Sequence, residues 1–201
     1  EMFGFRPSAL WEVEKSQHLE KLRKSLQALE AERGAWQPIG FEKKFGIQGA
    51  PPLELRLNGR IILLHGVIDR VDHHPNGQTR VIDYKTGGSH LGELELKKGL
   101  RLQLPIYALA AQDALRLGEV VDGFYWKIND ARPGGLKLSK FKAEEDEGIK
   151  AAYHVAKEYI SSYVSKIQEG SFRPEPPSDG CPDYCPASQW CWRYQARYNN
   201  D

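Results

Sequence analysis

Two aspartates and one lysine lie on the two arms of a hairpin that the sequence predicts. The turn signal Pro-Asn-Gly at 75–77 separates two runs rich in valine and isoleucine. When the chain folds back about Asn76, Asp69 lies opposite Asp83. Because side chains alternate along a strand, Asp83 and Lys85 share one face, and Lys85 is diagonal to Asp69. The pattern gathers two carboxylates and an ammonium group on one face of a sheet.

These three side chains have the chemistry of a metal site that cleaves phosphodiesters. Directly opposed like charges destabilise a sheet, so a pair of acids is retained when a cation lies between them. Mg²⁺ binds carboxylate oxygens and keeps several waters, and metal-bound water is a nucleophile. Two alternatives stay open: an Asp-x-Lys strand is usually a solvated face, and a register slip of one residue would separate the acids. On the opposite face, Asp72 is expected to pair with Arg80.

Three successive segments carry a family resemblance. They are Gly66–Asp72, Val81–Gly87 and Leu102–Tyr107. Together they resemble successive motifs of the PD-(D/E)xK nucleases, and in particular of the RecB/AddB branch, which also contains the CRISPR adaptation exonucleases. The segment Trp36–Gly46 resembles the strand that leads into the core of AddB-like proteins. The resemblance covers most of the chain from Trp36 onward.

The resemblance implies a role for each residue of the hairpin. Asp69 and Asp83 are the carboxylate ligands of a catalytic Mg²⁺ or Mn²⁺, and the backbone carbonyl of Tyr84 is a further ligand. Lys85 holds the attacking water or stabilises the negative charge that develops on the phosphate. The alternative is a degenerate, inactive copy of the same motif.

Two polar residues follow on a predicted helix. Gln103 and Tyr107 stand one turn apart on one face of this helix. In the family this helix lies beside the active site, so the two side chains are expected to touch DNA or to order Lys85. On spacing alone, Tyr107 could equally be a partly buried tyrosine of an amphipathic helix.

The relatives also carry a metal-binding histidine, and a cysteine, upstream of the matched region. This chain opens at Glu1 and offers no good equivalent of either, so we expect it to be a fragment of a longer protein. Glu42 could replace the missing histidine, although a surface glutamate is the favoured interpretation. For His18 a structural or solvent-facing role is favoured.

Every cysteine of the chain lies near its end, at Cys181, Cys185 and Cys191. Three cysteines in eleven residues indicate metal binding rather than disulfides in a cytosolic type of chain. The resemblance implies a 4Fe–4S cluster, although the first spacing differs from the family pattern and the fourth thiolate is absent. Zinc with three cysteines and an outside ligand is the alternative. Four aromatic residues are expected to shield the site: Tyr184, Trp190, Trp192 and Tyr194.

Length and charge set limits on the class of protein. A chain of 201 residues can form one domain, which we expect to comprise a helical segment at 1–35, a nuclease core at 36–170 and a cysteine-rich tail at 171–201. The net charge of +1 gives no overall basic signature, so DNA contacts must come from local clusters. Candidates are Lys97, Lys98, Arg101, Lys127, Arg132, Lys137, Lys140 and Lys142. No apolar run reaches membrane length and no signal peptide is visible, so a soluble cytoplasmic protein is expected.

The hydrophobic pattern predicts the fold class. Helices are expected at 8–33, 102–117 and 143–169, the last with acidic first turns, and strands near 39–47, 53–57, 60–73, 78–85, 120–128 and 136–141. This order suits an α/β fold. It matches the restriction-endonuclease-like αβββαβ core, in which helices flank a mixed central sheet.

The leading hypothesis is therefore a divalent-metal-dependent DNA exonuclease domain of a helicase–nuclease repair system, with DNA and a helicase as partners. One alternative is a non-catalytic DNA-binding or scaffolding module with a nuclease fold. Another is a CRISPR adaptation exonuclease. The intact set of Asp69, Asp83 and Lys85 favours catalysis, and Trp36–Gly46 favours the AddB-like branch.

Overall fold

The computed structural model describes residues 10–87, 91–143, 146–176, 180–181 and 185–194. The chain forms two compact units, residues 1–161 and residues 162–201. The first unit contains the central sheet and both halves of the predicted hairpin. Among the described residues, none of the helices combines the length and apolar character needed to span a membrane.

The order of elements is as follows. The helices are α1 (Trp11–Ala31), α2 (Glu93–Lys97), α3 (Gln103–Leu109) and α4 (Gly148–Gln168). The strands are β1 (Gln37–Phe45), β2 (Leu53–Leu57), β3 (Arg60–Leu64), β4 (Gly66–His73), β5 (Gln78–Lys85), β6 (Glu119–Lys127), β7 (Arg132–Lys137), β8 (Lys142–Ala143) and β9 (Asp146–Glu147). A π-helical turn, Ala110–Ala114, extends α3, and a 3₁₀ turn, Leu138–Lys140, follows β7.

The central sheet has five strands in the order β1-β4-β5-β6-β7. Strands β5 and β6 are parallel, and the other neighbours are antiparallel. The hairpin of β2 and β3 forms a separate two-stranded sheet between β1 and β4 in the sequence. The elements α1, β1, β4, β5, α3 and β6 provide the αβββαβ order, so the predicted restriction-endonuclease-like α/β fold is confirmed.

The register of the β4–β5 hairpin is the one that the turn predicts. Val71 pairs with Val81, and Asp72 pairs with Arg80. The register runs from Arg70–Ile82 to His73–Thr79 without a shift, so the side chains of β4 and β5 alternate in phase between the two faces of the sheet.

Different helices pack against the two faces of the central sheet. On one face Leu29 of α1 packs with Ile82, Phe124 and Trp126. The indole Nε1 of Trp126 donates a hydrogen bond to Ser25 Oγ of α1 at 2.8 Å, which satisfies a buried polar group. On the other face α3 packs against β5 and β6. The two acids and the lysine belong to the face covered by α3.

Two helices differ from the predictions. Helix α4 begins at Gly148 rather than at 143, because Lys142–Ala143 and Asp146–Glu147 pair as β8 and β9. The first turn of α4 therefore holds no acidic residue. Of its predicted buried stripe, Ile160 is buried but Ile167 is 57% exposed. The apolar stripe of α1 is also largely exposed, and Ser25 and Leu29 are its buried residues. Ser8, its predicted cap, lies outside the described residues.

Two further segments differ at their ends. The helix predicted at 102–117 is α-helical only to Leu109, and the next turn widens so that the Leu115 N–H donates to the carbonyl oxygen of Ala110. The strand predicted at 136–141 lies earlier in the chain, as β7. Its second half forms the 3₁₀ turn instead, which buries Leu138.

Candidate active site

Asp83 lies on β5 and is fully buried. Among the described residues, its carboxylate has no hydrogen-bond partner other than the Lys85 ammonium. The ammonium Nζ of Lys85 lies 2.6 Å from Oδ2, as an ion pair. Loss of solvation raises the pKa of Asp83. This effect outweighs the hydrogen bond from Lys85 and the positive charges of Lys85 and Arg101, which lower the pKa. A buried carboxylate with one ionic partner is still costly to ionise, unless a bound cation completes its surroundings.

Asp69 lies on the neighbouring strand β4 and is partly buried. Its Oδ2 accepts a hydrogen bond from the backbone N–H of Tyr84 at 2.9 Å. Tyr84 follows Asp83 directly, so this bond fixes the Asp69 carboxylate beside the strand that carries Asp83. The negative charge of Asp69 is one of the effects that raise the pKa of Asp83. The two acids therefore interact, as the hairpin register predicts.

A short chain of hydrogen bonds leads from Lys85 into α3. Lys85 Nζ donates to Gln103 Oε1 at 3.0 Å, and Gln103 Nε2 donates to Tyr107 Oη at 2.8 Å. Lys85 Nζ also lies 5.6 Å from the centre of the Tyr125 ring. Gln103 and Tyr107 share one face of α3, as their spacing predicts, and they brace the ammonium group that also pairs with Asp83.

The oxygen donors of the site fit a hard divalent cation. Mg²⁺ and Mn²⁺ prefer carboxylate oxygens, and Mg²⁺ retains several waters when proteins bind it. Asp83 contributes two buried oxygens, of which Oδ2 also pairs with Lys85, and Asp69 contributes a second carboxylate. No group of three or more His, Cys, Asp or Glu side chains in the described part of the chain is placed to hold a metal. A cation at this site would therefore be coordinated by two carboxylates, a backbone oxygen and water. The carbonyl oxygen of Tyr84 stays the predicted backbone ligand.

Neither candidate replacement for the missing histidine is buried at this site. Glu42 is exposed and has a φ of +47°, an uncommon backbone conformation for a residue other than glycine. Its neighbours Phe41 and Lys43 pair with Arg70 and Ile68 of β4. His18 is exposed on α1.

The cysteines lie in the second unit. Cys181 is buried, and Cys185 and Cys191 are partly exposed. The structure does not bring these three thiols together as a ligand set among the described residues. The 4Fe–4S cluster and the zinc site therefore both stay predictions.

The aromatic shield expected around the cysteines is only partly testable. Trp190 and Trp192 are 77% and 74% exposed, so the expectation that they shield a metal site is wrong. The Trp192 ring contacts the Arg193 guanidinium instead, 5.4 Å from its centroid. Tyr184 lies outside the described residues.

The opposite face of the hairpin holds a charge network that the sequence revealed only in part. Asp72 is fully buried and pairs with Arg80, as predicted, with Nη2 of Arg80 2.9 Å from Oδ2. Arg70 binds the same carboxylate, with Nε 2.5 Å from Oδ1. The Arg80 guanidinium lies over the rings of Trp36 at 4.8 Å and Phe124 at 5.5 Å. Arg70 is thus the third residue of this network. Its position two residues before Asp72 puts both side chains on one face of β4, and this spacing is the signal in the sequence that indicates the contact.

The fold and the site together define a class of protein. A mixed sheet carries one acid on each of two adjacent strands, and a lysine two residues after the second acid. The family model described as the PD-(D/E)XK nuclease superfamily matches residues 3–192. This match covers most of the chain, and the chain belongs to the PD-(D/E)XK nuclease superfamily.

Curated relatives carry the same name across several bacteria. An ATP-dependent helicase/deoxyribonuclease subunit of Clostridioides difficile is 41% identical over 124 residues, which are 57% of this chain and 10% of that protein. The protein of the same name from Moorella thermoacetica is 38% identical over 51% of this chain and 10% of its own length. The one from Carboxydothermus hydrogenoformans is 32% identical over 68% of this chain and 14% of its own length. The matched region thus spans about a tenth of these relatives.

Proposed function

We propose that this chain is a divalent-metal-dependent DNA exonuclease domain of a helicase–nuclease system. One observation carries the proposal: the fully buried Asp83 carboxylate is paired with the Lys85 ammonium at 2.6 Å, and Gln103 holds that ammonium in place. A buried ionisable carboxylate lowers the free energy of unfolding. Residues that lower stability in this way are concentrated at functional sites.

The chemistry proposed is hydrolysis of a phosphodiester. When bound, Mg²⁺ or Mn²⁺ supplies a Lewis acid that lowers the pKa of water and neutralises phosphate charge. Asp69 and Asp83 would hold this cation through their carboxylates. Lys85 would direct its ammonium group at the attacking water and the phosphate. It would stabilise the negative charge that develops as the water oxygen bonds to phosphorus and the bond from phosphorus to the ester oxygen breaks. The water loses a proton to solvent, and the departing ester oxygen gains one from solvent.

Gln103 and Tyr107 are proposed as positioning residues in this scheme. The Gln103 carbonyl oxygen accepts a hydrogen bond from the Lys85 ammonium, and the Tyr107 hydroxyl fixes the orientation of the Gln103 amide. A lysine side chain has several rotatable bonds. Because the Gln103 acceptor already restricts the Lys85 side chain, less conformational entropy has to be lost when the transition state forms.

The proposed partners follow from the names of the relatives. Those proteins are subunits of ATP-dependent helicase/deoxyribonucleases, and the matched region is a small part of each. We therefore propose DNA as the substrate and a helicase as the partner that supplies unwound strands. DNA repair and recombination are the processes in which such a pair would act.

Degradation of labelled DNA tests the proposal. Wild type, Asp83→Asn and Lys85→Ala would be compared in Mg²⁺ and in Mn²⁺, and metal binding would be measured separately by calorimetry. Lys24→Gln is a matched control, because Lys24 is an exposed lysine of α1 that pairs with Glu20. We expect weak cleavage, or none, by wild type and by the control, because the described residues offer the cation two carboxylates and no third acidic or histidine ligand. Any cleavage that wild type shows should be lost in both site variants.

The outcomes separate the proposed enzyme from a scaffold. Metal binding that is equal in wild type and Asp83→Asn would contradict the metal site. Cleavage that persists in both site variants would place the active centre elsewhere. A folded wild type that binds DNA and does not cleave it in either metal would support the non-catalytic DNA-binding module instead.

A further inference from the structure

Three cations stand side by side on three neighbouring strands of the central sheet. Lys85 of β5 is the register partner of Lys127 of β6 in the parallel pair. Lys127 is in turn the register partner of Arg132 of β7 in the antiparallel pair. We call Lys85, Lys127 and Arg132 the basic row. At two strand spacings, the row spans roughly 10 Å.

The basic row lies on the same face as the acids. Tyr125 is the register partner of Asp83, and its ring lies beneath the Lys85 ammonium. Lys127 follows Tyr125 by two residues, so it points to that face too. The residue between them, Trp126, is buried on the face covered by α1. The row therefore begins at the candidate active site and leads away from it.

Hydrogen bonds join the carboxyl end of β5, at Lys85 and Thr86, to the residues that follow β6. The backbone N–H of Ile128 donates to the carbonyl oxygen of Lys85 at 2.9 Å. The Asn129 side-chain amide donates to the carbonyl oxygen of Thr86. These bonds fix the backbone beneath Lys127 relative to Lys85, so the separation of the two cations is set by the sheet and not by a loose loop.

Asp130, in the turn after β6, forms ion pairs with two residues of the basic row, Lys127 and Arg132. Asp130 Oδ2 accepts a hydrogen bond from Lys127 Nζ and lies 3.4 Å from Arg132 Nη2. The hydrogen bond from Lys127 and the charge of Arg132 lower the pKa of Asp130, so this carboxylate is an anion. The side chain of Arg132 is 68% exposed and those of Lys127 and Asp130 are 26% and 34% exposed, so solvent reaches all three.

We propose that Lys127 and Arg132 bind the backbone phosphates of a single DNA strand that runs from the active site across β6 and β7, and that Asp130 competes with those phosphates. The inference rests on the proposed nuclease function and adds to it the path of the strand. A single file of cations fits one phosphate backbone, as in grooves that bind single-stranded nucleic acid. Asp130 holds the cations in place when DNA is absent, and the phosphates displace it.

Salt dependence of DNA binding tests the path. Binding of a fluorescent single-stranded oligodeoxynucleotide would be followed by anisotropy in EDTA, where cleavage is blocked. The variants are Lys127→Gln/Arg132→Gln and Asp130→Asn. The control is Lys15→Gln/Lys24→Gln, which removes the same charge from exposed lysines of α1 that also have acidic partners.

The expected result is a change in slope. The slope of log Kd against log salt should fall by about 1.4 in Lys127→Gln/Arg132→Gln, since each single-strand phosphate contact contributes roughly 0.7. The control should keep the slope of wild type. Asp130→Asn should bind several-fold more tightly, because the competing anion is gone.

Each other result would contradict a defined part of the inference. An unchanged slope in Lys127→Gln/Arg132→Gln would overturn the basic row, provided that wild type binds DNA. Equal or weaker binding by Asp130→Asn would overturn the competition. Stronger salt-dependent binding of duplex than of single strands would overturn the single-strand path. A folded wild type without salt-dependent DNA binding would instead count against the proposed function itself.

Discussion

The ammonium group of Lys85 donates a hydrogen bond to Gln103 Oε1 at 3.0 Å, across the boundary between β5 and α3. The same ammonium lies 2.6 Å from the buried carboxylate of Asp83. A strand residue is thereby held by a helix residue that is distant in sequence. The fold thus fixes the orientation of Lys85 before any substrate binds.

The first prediction concerns Lys85. Lys85→Ala should reduce cleavage on the order of a hundredfold or more, because it removes a preorganised positive charge from the developing negative charge. Metal affinity should change little, since Lys85 is not a ligand. Single-turnover cleavage and calorimetric metal titration measure the two effects, and unchanged turnover in Lys85→Ala would rule out the role.

The second prediction concerns the brace on Lys85. Gln103→Ala should lower kcat with a small effect on KM, because the ammonium loses its acceptor on α3 while keeping its ion pair with Asp83. Tyr107→Phe should have a smaller effect in the same direction, since it removes only the anchor of the Gln103 amide. Gln103→Glu retains an acceptor and should recover part of the rate. If KM alone changed, Gln103 would be a DNA contact and not a brace.

The third prediction is a pH dependence in metal-free protein. The pKa of Asp83 is raised from 3.8 by burial, so the folded state holds this proton more tightly than the unfolded state. The free energy of unfolding therefore falls as the pH rises from about 4 through the raised pKa, and it stays lower above that range. Asp83→Asn cannot ionise, so it should be more stable than wild type at neutral pH in EDTA.

Thermal unfolding across this pH range measures the effect. Glu147→Gln is a suitable control, because Glu147 forms an exposed pair with Lys142. Parallel curves for wild type and Asp83→Asn would contradict the prediction. Added Mg²⁺ should reverse the order of stability at neutral pH, since a ligand that binds the native state stabilises it and wild type binds the metal more tightly.

The fourth prediction concerns the network on the opposite face. Asp72→Ala should destabilise the fold by about 3–5 kcal/mol, because two nearly buried guanidinium groups, those of Arg70 and Arg80, lose their shared carboxylate. The exposed variant Glu147→Gln should stay within about 0.5 kcal/mol of wild type. Urea unfolding measures both. A cost below about 1 kcal/mol for Asp72→Ala would mean that water or another acid replaces the lost partner.

Local sequence determined the hairpin and the spacing on α3. The Pro-Asn-Gly turn and the alternation of valine and isoleucine predicted the pairing of Val71 with Val81 and of Asp72 with Arg80, and the structure has both. These features span a few residues, so periodicity and turn chemistry suffice to predict them. For the same reason the polar face of Gln103 and Tyr107 was predictable from their spacing.

Long-range packing decided what local pattern could not. The apolar stripe of α1 looks like a core face, but burial depends on whether another element covers it, and most of that stripe is exposed. Helix α4 begins at Gly148 and not at the predicted residue 143, because β8 and β9 pair with each other before it.

The basic row shows the same distinction at the site. Lys127 was visible in the sequence only as one of several basic residues. Its position beside Lys85 depends on the parallel pairing of β5 with β6, which joins segments separated by α2 and α3. No turn sets the register of a parallel pair, so helix packing and strand pairing across the whole sheet have to set it. The sequence by itself determined the reactive groups, and the tertiary structure decided which cations accompany them.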